Sequence, residues 1–148
     1  MMPTFFLAGL DPEGLEKLYK VLQDNDIDFV IDIRLSRGFD LGDALRELNG
    51  KHGGRIGYKW MRVFGNPHFD RDDPIDAYRG YLVGMDREME ELYELLIKRR
   101  SCIVDGETDH ARSYRRFLAE ALQKRYGITY ADLTEAEKIV ERSREGTA

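Results

Sequence analysis

The sequence predicts an α/β fold, a three-layer sandwich in which a mainly parallel sheet of about five strands lies between helices. Short apolar runs of strand length alternate about five times with segments whose apolar residues recur at helical spacing. The apolar runs are continuous, as in parallel strands that are covered on both faces. Such alternation favours a parallel sheet with right-handed crossovers. No linker, repeat or low-complexity tract divides the chain, so we expect one domain over residues 1–148.

The first half of the chain supplies two strand–helix units. In the first unit, Asp11 and Pro12 follow an apolar run and form a pair that commonly opens a helix. In the second, Asn49 and Gly50 follow an amphipathic stretch and are typical of a helix end. The predicted elements are a strand over 4–8, a helix that stops at Asp24, a strand over 29–31 and a helix over 41–48.

The second half contains one irregular stretch and then regular elements. Glycines interrupt residues 51–73, where we place a strand near 56–63 and its exit loop at 64–67. Gly80 and Gly84 lie inside the next helical pattern and could bend or split it, since each costs about 1 kcal/mol relative to alanine. The other predicted helices cover residues 74–99 and about 111–125, and the other predicted strands cover 101–104 and 128–131. A C-terminal helix and tail are expected from about 134, where Thr134 and Glu137 form a capping box.

The composition indicates a soluble globular protein with a heavily charged surface. Hydrophobic residues make up 42% of the chain and charged residues 34%, and the formal net charge is -5. A net-acidic chain is not typical of non-specific nucleic-acid binders, although a local basic pocket is compatible with it. The chain has no apolar run of about 18 residues and no basic leader before an apolar run. We therefore expect a cytoplasmic protein that does not span a membrane.

The sequence carries no recognisable cofactor motif. It contains neither G-x-G-x-x-G nor G-x-x-x-x-G-K-[ST], so the expected fold is flavodoxin- or Rossmann-like without a dinucleotide fingerprint. The histidines at 52, 68 and 110 lack the cysteine or histidine partners of the usual zinc motifs. The one cysteine, Cys102, has no partner for an internal disulfide, and we interpret it as a buried strand residue. No cofactor is assigned from the sequence.

Charged and polar residues follow the ends of the predicted strands. Since every strand of a parallel sheet ends at the same edge, we expect these residues to converge there. Arg34, Arg37 and Arg115 offer planar donor forks suited to carboxylate or phosphate, and the N-terminus of the helix that holds Arg115 favours an anion as well. The strand-exit residues are Gly9, Asp32, Arg34, Ser36, Arg37, Asn66, Asp105 and Glu107.

Three interpretations of this edge stay open. In the first, Asp32 and Glu107 form a carboxylate pair that works as acid and base, while Ser113 and Tyr114 donate hydroxyl hydrogen bonds to a ligand. In the second, the arginines pair with the carboxylates in a purely structural network. In the third, Asp32, Asp105 and Glu107 hold a divalent metal ion, which takes oxygen ligands. Four aromatic residues could stack on a base or belong to the core: Tyr58, Trp60, Phe64 and Phe69.

Several of these segments occur in the same order in one known family. They are the FLAGL strand end with Gly9, the element Asp32, Ile33, Arg34 followed by Ser36 and Arg37, the aromatic strand and turn with Tyr58, Trp60, Phe64, Gly65 and Asn66, and the IVDGE strand end with Glu107, followed by Arg115. Over roughly residues 4–131 the chain thus resembles the DUF488 family of small α/β proteins of unknown function. The resemblance implies the fold and an arginine–carboxylate site.

Two departures from this family concern the predicted site. Asp105 stands where the family commonly has a cysteine, and Ser113 and Tyr114 replace the cysteine and histidine of its C-H-R element. The resemblance therefore carries over no thiol or metal role. Arg34, Glu107 and Arg115 do match, so the site is expected to be an arginine and carboxylate pocket.

We expect this pocket to bind an anionic ligand such as a nucleotide, a nucleic-acid end or a phosphorylated metabolite, with hydrolysis or transfer if the protein is an enzyme. The predicted ligand-binding residues are Arg34, Ser36, Arg37, Asn66, Ser113, Tyr114 and Arg115, and the predicted catalytic residues are Glu107 and Asp32. The alternative is a non-catalytic interaction module that docks a partner on its acidic surface and the helix over 74–99. A homo-oligomer is compatible with either. The sequence names neither substrate nor reaction.

Overall fold

The computed structural model describes residues 2–36, 38–69, 71–107 and 112–134. Within these ranges a parallel sheet has the strand order β3-β2-β4-β1-β5. The strands are β1 (Phe5–Gly9), β2 (Phe29–Asp32), β3 (Gly57–Trp60), β4 (Ser101–Asp105) and β5 (Tyr130–Asp132). The helices are α1 (Leu15–Asp24), α2 (Leu41–His52), α3 (Pro74–Val83), α4 (Asp86–Lys98) and α5 (Tyr114–Tyr126). The predicted three-layer α/β sandwich with a parallel sheet is confirmed.

Helices cover both faces of the sheet, which is why the strands are apolar throughout. Alternate strand residues such as Leu7 and Ile103 pack in a core with residues of α3, α4 and α5. Their neighbours, such as Ala8 and Cys102, pack in a second core with residues of α1 and α2. Cys102 is fully buried as predicted, and burial raises the pKa of its thiol above the usual value.

Helix ends agree with the sequence signals at most boundaries. Asp11 accepts a hydrogen bond from the Glu13 backbone N–H at the 3-10 turn that precedes α1. The predicted end of α2 at Asn49 and Gly50 is wrong, because the helix continues to His52 and Gly53 ends it with φ of 69°. Asn49 instead uses its side chain to bind the backbone of Ile56, which fastens the loop that leads into β3.

The long helix predicted over 74–99 is two helices. Gly84 and Met85 separate α3 from α4, whereas Gly80 stays inside α3. Met85, at this break, is buried in the core. None of the described helices is long and apolar enough to cross a membrane.

Two predicted strands differ in length from the observed ones. The strand expected near 56–63 is β3, which stops at Trp60 and gives way to a 3-10 turn over Arg62–Phe64. The strand expected over 128–131 is β5, which begins at Tyr130. Thr134 accepts a hydrogen bond from the Gly9 backbone N–H at 2.9 Å. The other member of its predicted capping box, Glu137, and the rest of the C-terminal helix and tail lie outside the described residues.

The connections leave the sheet toward opposite faces. The exits of β1 and β2 lead to α1 and α2 on one face, whereas those of β3 and β4 lead to α3 and α5 on the other. In the sheet β2 lies between β3 and β4. Connections that diverge from neighbouring strands leave a crevice at the carboxyl ends of those strands, the usual place of a ligand site in such folds.

Gly65 lets the exit of β3 approach the exit of β2. A Cβ atom on residue 65 would lie 2.8 Å from Cγ of Leu35 and 2.9 Å from the carbonyl oxygen of Ile33. The latter is backbone and does not move away as a flexible side chain would. Only glycine allows this contact, which forms one wall of the crevice.

We expect Gly65→Ala to lower the free energy of unfolding by about 1–3 kcal/mol, because it overpacks this contact. Gly80→Ala is the matched control, since a Cβ there meets no heavy atom within 4 Å. Its position inside α3 should make it neutral or stabilising by up to about 1 kcal/mol. Urea denaturation measures both. Equal unfolding free energies for the two variants would contradict the close approach at Gly65.

Candidate functional site

A cavity opens at the carboxyl ends of β2, β3 and β4, next to the start of α5. Its volume is about 440 Å³. The predicted convergence of strand exits is therefore seen for three of the five strands. The lining residues are Ile33, Arg34, Leu35, Gly65, Asn66, Phe69, Asp105, Gly106, Glu107 and Tyr114. Gly9, at the end of β1, is not among them.

Arg34 is the arginine on the cavity wall, and Asp32 holds it there. Nε of Arg34 donates to Oδ1 of Asp32 at 3.0 Å and Nη2 donates to Oδ2 at 2.8 Å, which is a bidentate pair. Nη2 also donates to the Phe39 carbonyl at 3.2 Å, and the guanidinium lies over the Phe39 ring at 4.5 Å. The Arg34 side chain is 9% exposed and that of Asp32 is completely buried. Asp32 is thus a partner of Arg34 and does not line the cavity.

Two residues of β3 complete this arrangement. Tyr58 donates its hydroxyl to Oδ2 of Asp32 at 2.8 Å, and the Trp60 indole N–H donates to the Arg34 carbonyl at 2.6 Å. Burial by itself would lower the pKa of Arg34, but the hydrogen bonds and charge of Asp32 outweigh it and raise that pKa. The guanidinium is therefore a permanent positive charge at the cavity.

Arg115 has a different environment, inside the protein between two carboxylates. Its Nη1 donates to Oδ1 of Asp105 at 2.6 Å, and its Nε donates to Oδ2 of Asp132 at 2.9 Å. Nη1 also donates to the Glu107 carbonyl oxygen. The Arg115 side chain has no exposed surface. Asp105, Arg115 and Asp132, which we call the buried cluster, join the ends of β4 and β5 to α5.

Asp105 occupies the place at the helix N-terminus where we expected an anion. Its Oδ2 accepts the backbone N–H of Arg115 at 3.0 Å, and its Oδ1 accepts that of Glu107 at 3.1 Å. The start of α5 is therefore bound by the protein's own carboxylate. Burial raises the pKa of Asp105, and the Arg115 guanidinium opposes that shift.

The other predicted site residues fall into distinct positions. Glu107 is half-buried on the cavity wall, and Tyr114 lines the cavity from the start of α5. Ser113 is buried and caps α5 by accepting the Arg116 backbone N–H at 3.3 Å. Ser36 is exposed and does not line the cavity. Arg37 lies outside the described residues.

Asn66 lines the cavity but uses both ends of its amide on its own loop. Oδ1 accepts the His68 backbone N–H at 2.8 Å, and Nδ2 donates to the Pro74 carbonyl at 3.1 Å. The side chain is therefore a brace for the loop between β3 and α3. The side chains of Asn66, Ser113 and Arg115 all form hydrogen bonds with the protein's own backbone or carboxylates. Their predicted direct contacts with a ligand stay predictions.

The acidic residues at this edge do not group around a common point. Asp32 belongs to the Arg34 pair and Asp105 to the buried cluster. Across the described ranges, no three His, Cys, Asp or Glu side chains are grouped closely enough to hold a metal ion. The geometry thus gives the metal interpretation through Asp32, Asp105 and Glu107 no support.

Three contributors to the cavity and its support were not indicated as site residues by the sequence. Ile33 and Leu35 line it because the chain beyond β2 passes along the crevice. Asp132 supports Arg115 from β5, far away in sequence. The signal for Asp132 was its place at the end of an apolar strand, the same signal that marked Asp32 and Asp105.

The fold and this edge define the class of the protein as a parallel α/β sandwich with an arginine–carboxylate crevice. The model of the family described as "Domain of unknown function DUF488" matches residues 14–122. The chain therefore belongs to the DUF488 family, as the resemblance of its motifs indicated. Comparison with curated proteins gives no match, and comparison with solved structures gives none either.

We expect Arg115→Met to lower the free energy of unfolding by about 3–5 kcal/mol, because it leaves two buried carboxylates without their counter-ion. Arg125→Met is the matched control, since Arg125 pairs with Asp86 at the surface and such pairs contribute little. Urea denaturation compares the two variants.

Adding Asp105→Asn and Asp132→Asn to Arg115→Met should recover part of the loss by removing the uncompensated charges. A loss for Arg115→Met no larger than for Arg125→Met would contradict a supporting role of the buried cluster.

Proposed function

We propose that the crevice binds a small anionic ligand, phosphate- or nucleotide-like, and that Arg34 is the cation that meets it. The observation that carries this proposal is the orientation of Arg34. Asp32 fixes its Nε and Nη2 edge, while Nη1 makes no hydrogen bond to any residue in the described ranges. A guanidinium held on one edge is preorganised on the other, which reduces the entropy lost on binding.

The size and place of the cavity support the same proposal. Small-molecule sites usually measure roughly 300–1,000 Å³ and combine an apolar lining with a few polar groups. This cavity, at about 440 Å³, offers Ile33, Leu35 and Phe69 beside the polar Arg34 and Glu107. It also lies outside the carboxyl ends of parallel strands where their connections diverge.

The proposal gives the two predicted catalytic residues different roles. Glu107 would exchange a proton with the ligand if the ligand is hydrolysed, because it is the residue with a carboxylate outside the two ion-paired sets that lines the cavity. Asp32 acts through Arg34 as a positioning residue, in place of the direct proton transfer predicted for it. The contacts of Ser36 and Arg37 with the anion stay predictions from the sequence. A cytoplasmic location and a homo-oligomer remain predictions.

A specific observation favours the second candidate, a non-catalytic interaction module in which these charges are structural. Arg34 and Arg115, the two arginines of the predicted site that the structure describes, pair directly with aspartates. The charged groups in and around the crevice include two guanidinium groups, those of Arg34 and Arg115. They also include four carboxylates, those of Asp32, Asp105, Glu107 and Asp132. A ligand anion would have to overcome the repulsion of these carboxylates.

We expect the double variant Asp32→Asn/Arg34→Gln to bind inorganic phosphate, ribose 5-phosphate and adenosine 5′-monophosphate at least tenfold more weakly than the wild type. One charge-assisted hydrogen bond contributes about 1.5–3 kcal/mol, which is this factor or more. Replacing both partners avoids stranding the buried Asp32 charge, which would destabilise the fold. Isothermal titration calorimetry measures affinity, and circular dichroism checks folding.

Arg46→Gln is the matched control, because it removes an exposed arginine of an Arg–Asp pair on α2 and should leave affinity unchanged. Equal affinities of the wild type and the double variant would contradict the role of Arg34. A wild type that binds none of the three probes would contradict the proposal and leave the structural network as the account of these charges.

A further inference from the structure

We infer that the ligand of the crevice carries a planar aromatic ring that stacks on Phe69, so that a mononucleotide is the class of molecule the site takes. This inference rests on the proposed function, because it concerns the part of the same ligand that lies away from Arg34. It gives the apolar residues of the cavity a part of the ligand to contact, because the proposed anion contacts only Arg34.

The first observation is the exposure of Phe69. Its side chain is 64% exposed, and it is the one aromatic residue among the exposed large hydrophobic side chains of the described ranges. Single exposed apolar residues are ordinary on a protein surface. Phe69 differs because it lines the cavity and its ring has no aromatic or cationic partner among the described residues. One face of a ring at the cavity is thus open to stacking.

The second observation is that the loop presenting Phe69 is fastened at several points. Asn66 is 2% exposed and braces the loop through its hydrogen bonds to His68 and Pro74. The His68 ring meets the edge of Tyr81 on α3 at 6.2 Å, and Tyr81 donates its hydroxyl to the carbonyl of Val63 at 2.8 Å. These contacts brace the loop on which Phe69 stands, and a braced loop favours a stacking platform.

The third observation is the character of the remaining walls. Tyr114 also lines the cavity, and its ring packs against the buried Tyr78 at 5.2 Å. Ile33 and Leu35 add aliphatic surface to the lining. A ligand that has both a flat ring and an anionic group matches a cavity lined by aromatic and aliphatic side chains and by Arg34.

The other aromatic residues considered for stacking are already engaged. Tyr58 and Trp60 use their polar groups on Asp32 and the Arg34 carbonyl, and neither lines the cavity. Phe64 is fully buried in the core. Phe69 is therefore the member of this set that a ligand can reach.

The experiment titrates the full chain with adenosine 5′-monophosphate, ribose 5-phosphate and adenosine by isothermal titration calorimetry. We expect adenosine 5′-monophosphate to bind roughly tenfold more tightly than ribose 5-phosphate, the size of one base–aromatic stacking contact. Phe69→Ala should remove this difference, whereas Phe69→Trp should keep it. Ile97→Ala is the matched control, because it truncates an exposed apolar side chain that does not line the cavity.

The outcomes separate this inference from the proposed function. Equal binding of adenosine 5′-monophosphate and ribose 5-phosphate by the wild type would overturn the ring and leave the anion contact standing. An unchanged preference in Phe69→Ala would likewise overturn stacking on Phe69. Binding of adenosine as tight as that of its monophosphate, lost in Phe69→Ala, would uphold the ring and overturn the anion contact. Binding of none of the three probes would overturn both.

Discussion

The carboxyl edge of the sheet depends on one buried cation. The Arg115 guanidinium lies without exposed surface between Asp105 at the end of β4 and Asp132 in β5, while its own backbone N–H binds Asp105. The same side chain also donates to the carbonyl of Glu107. Removing Arg115 would leave two buried carboxylates without their counter-ion, so this side chain ties the end of β4 to the start of α5. Glu107 and Tyr114, which line the cavity, stand near these two points of the chain.

Arg34 and Arg115 therefore have different tasks. Arg115 holds the protein together, and the carboxylate of Asp105 fills the helix N-terminus that would otherwise attract an anion. Arg34 lines the cavity, and Asp32 and the Phe39 carbonyl hold its Nε and Nη2. The same kind of ion pair thus has a structural use at β4 and, under the proposed function, prepares a binding group at β2. This division explains how the structural and the ligand-binding interpretations can both apply to one edge.

The sequence predicted the sheet, most of its helices and the edge at which the cavity lies, because continuous apolar strands and capped helices are local signals. The sequence left open whether Gly80 or Gly84 would interrupt the helix over 74–99; the break falls at Gly84 and Met85, and Met85 is buried in the core. The roles of Asp105 and Arg115 could not be separated from those of Asp32 and Arg34, because every strand end showed the same charged pattern. Arg115 differs from Arg34 in having a second carboxylate partner, Asp132 of β5. This contact joins two separate elements, so the local sequence around Arg115 did not show it. Phe69 was one of four aromatic candidates until the folded loop showed which ring stays exposed.

The central claim is that Arg34 meets the ligand while Arg115 supports the edge from inside. The Nε–Hε resonances of the two arginines, assigned by NMR and followed during titration with adenosine 5′-monophosphate, test it most directly. The account predicts that the resonance of Arg34 shifts with saturation while that of Arg115 stays in place. A shift of Arg115 without one of Arg34, or no shift of either, would contradict it.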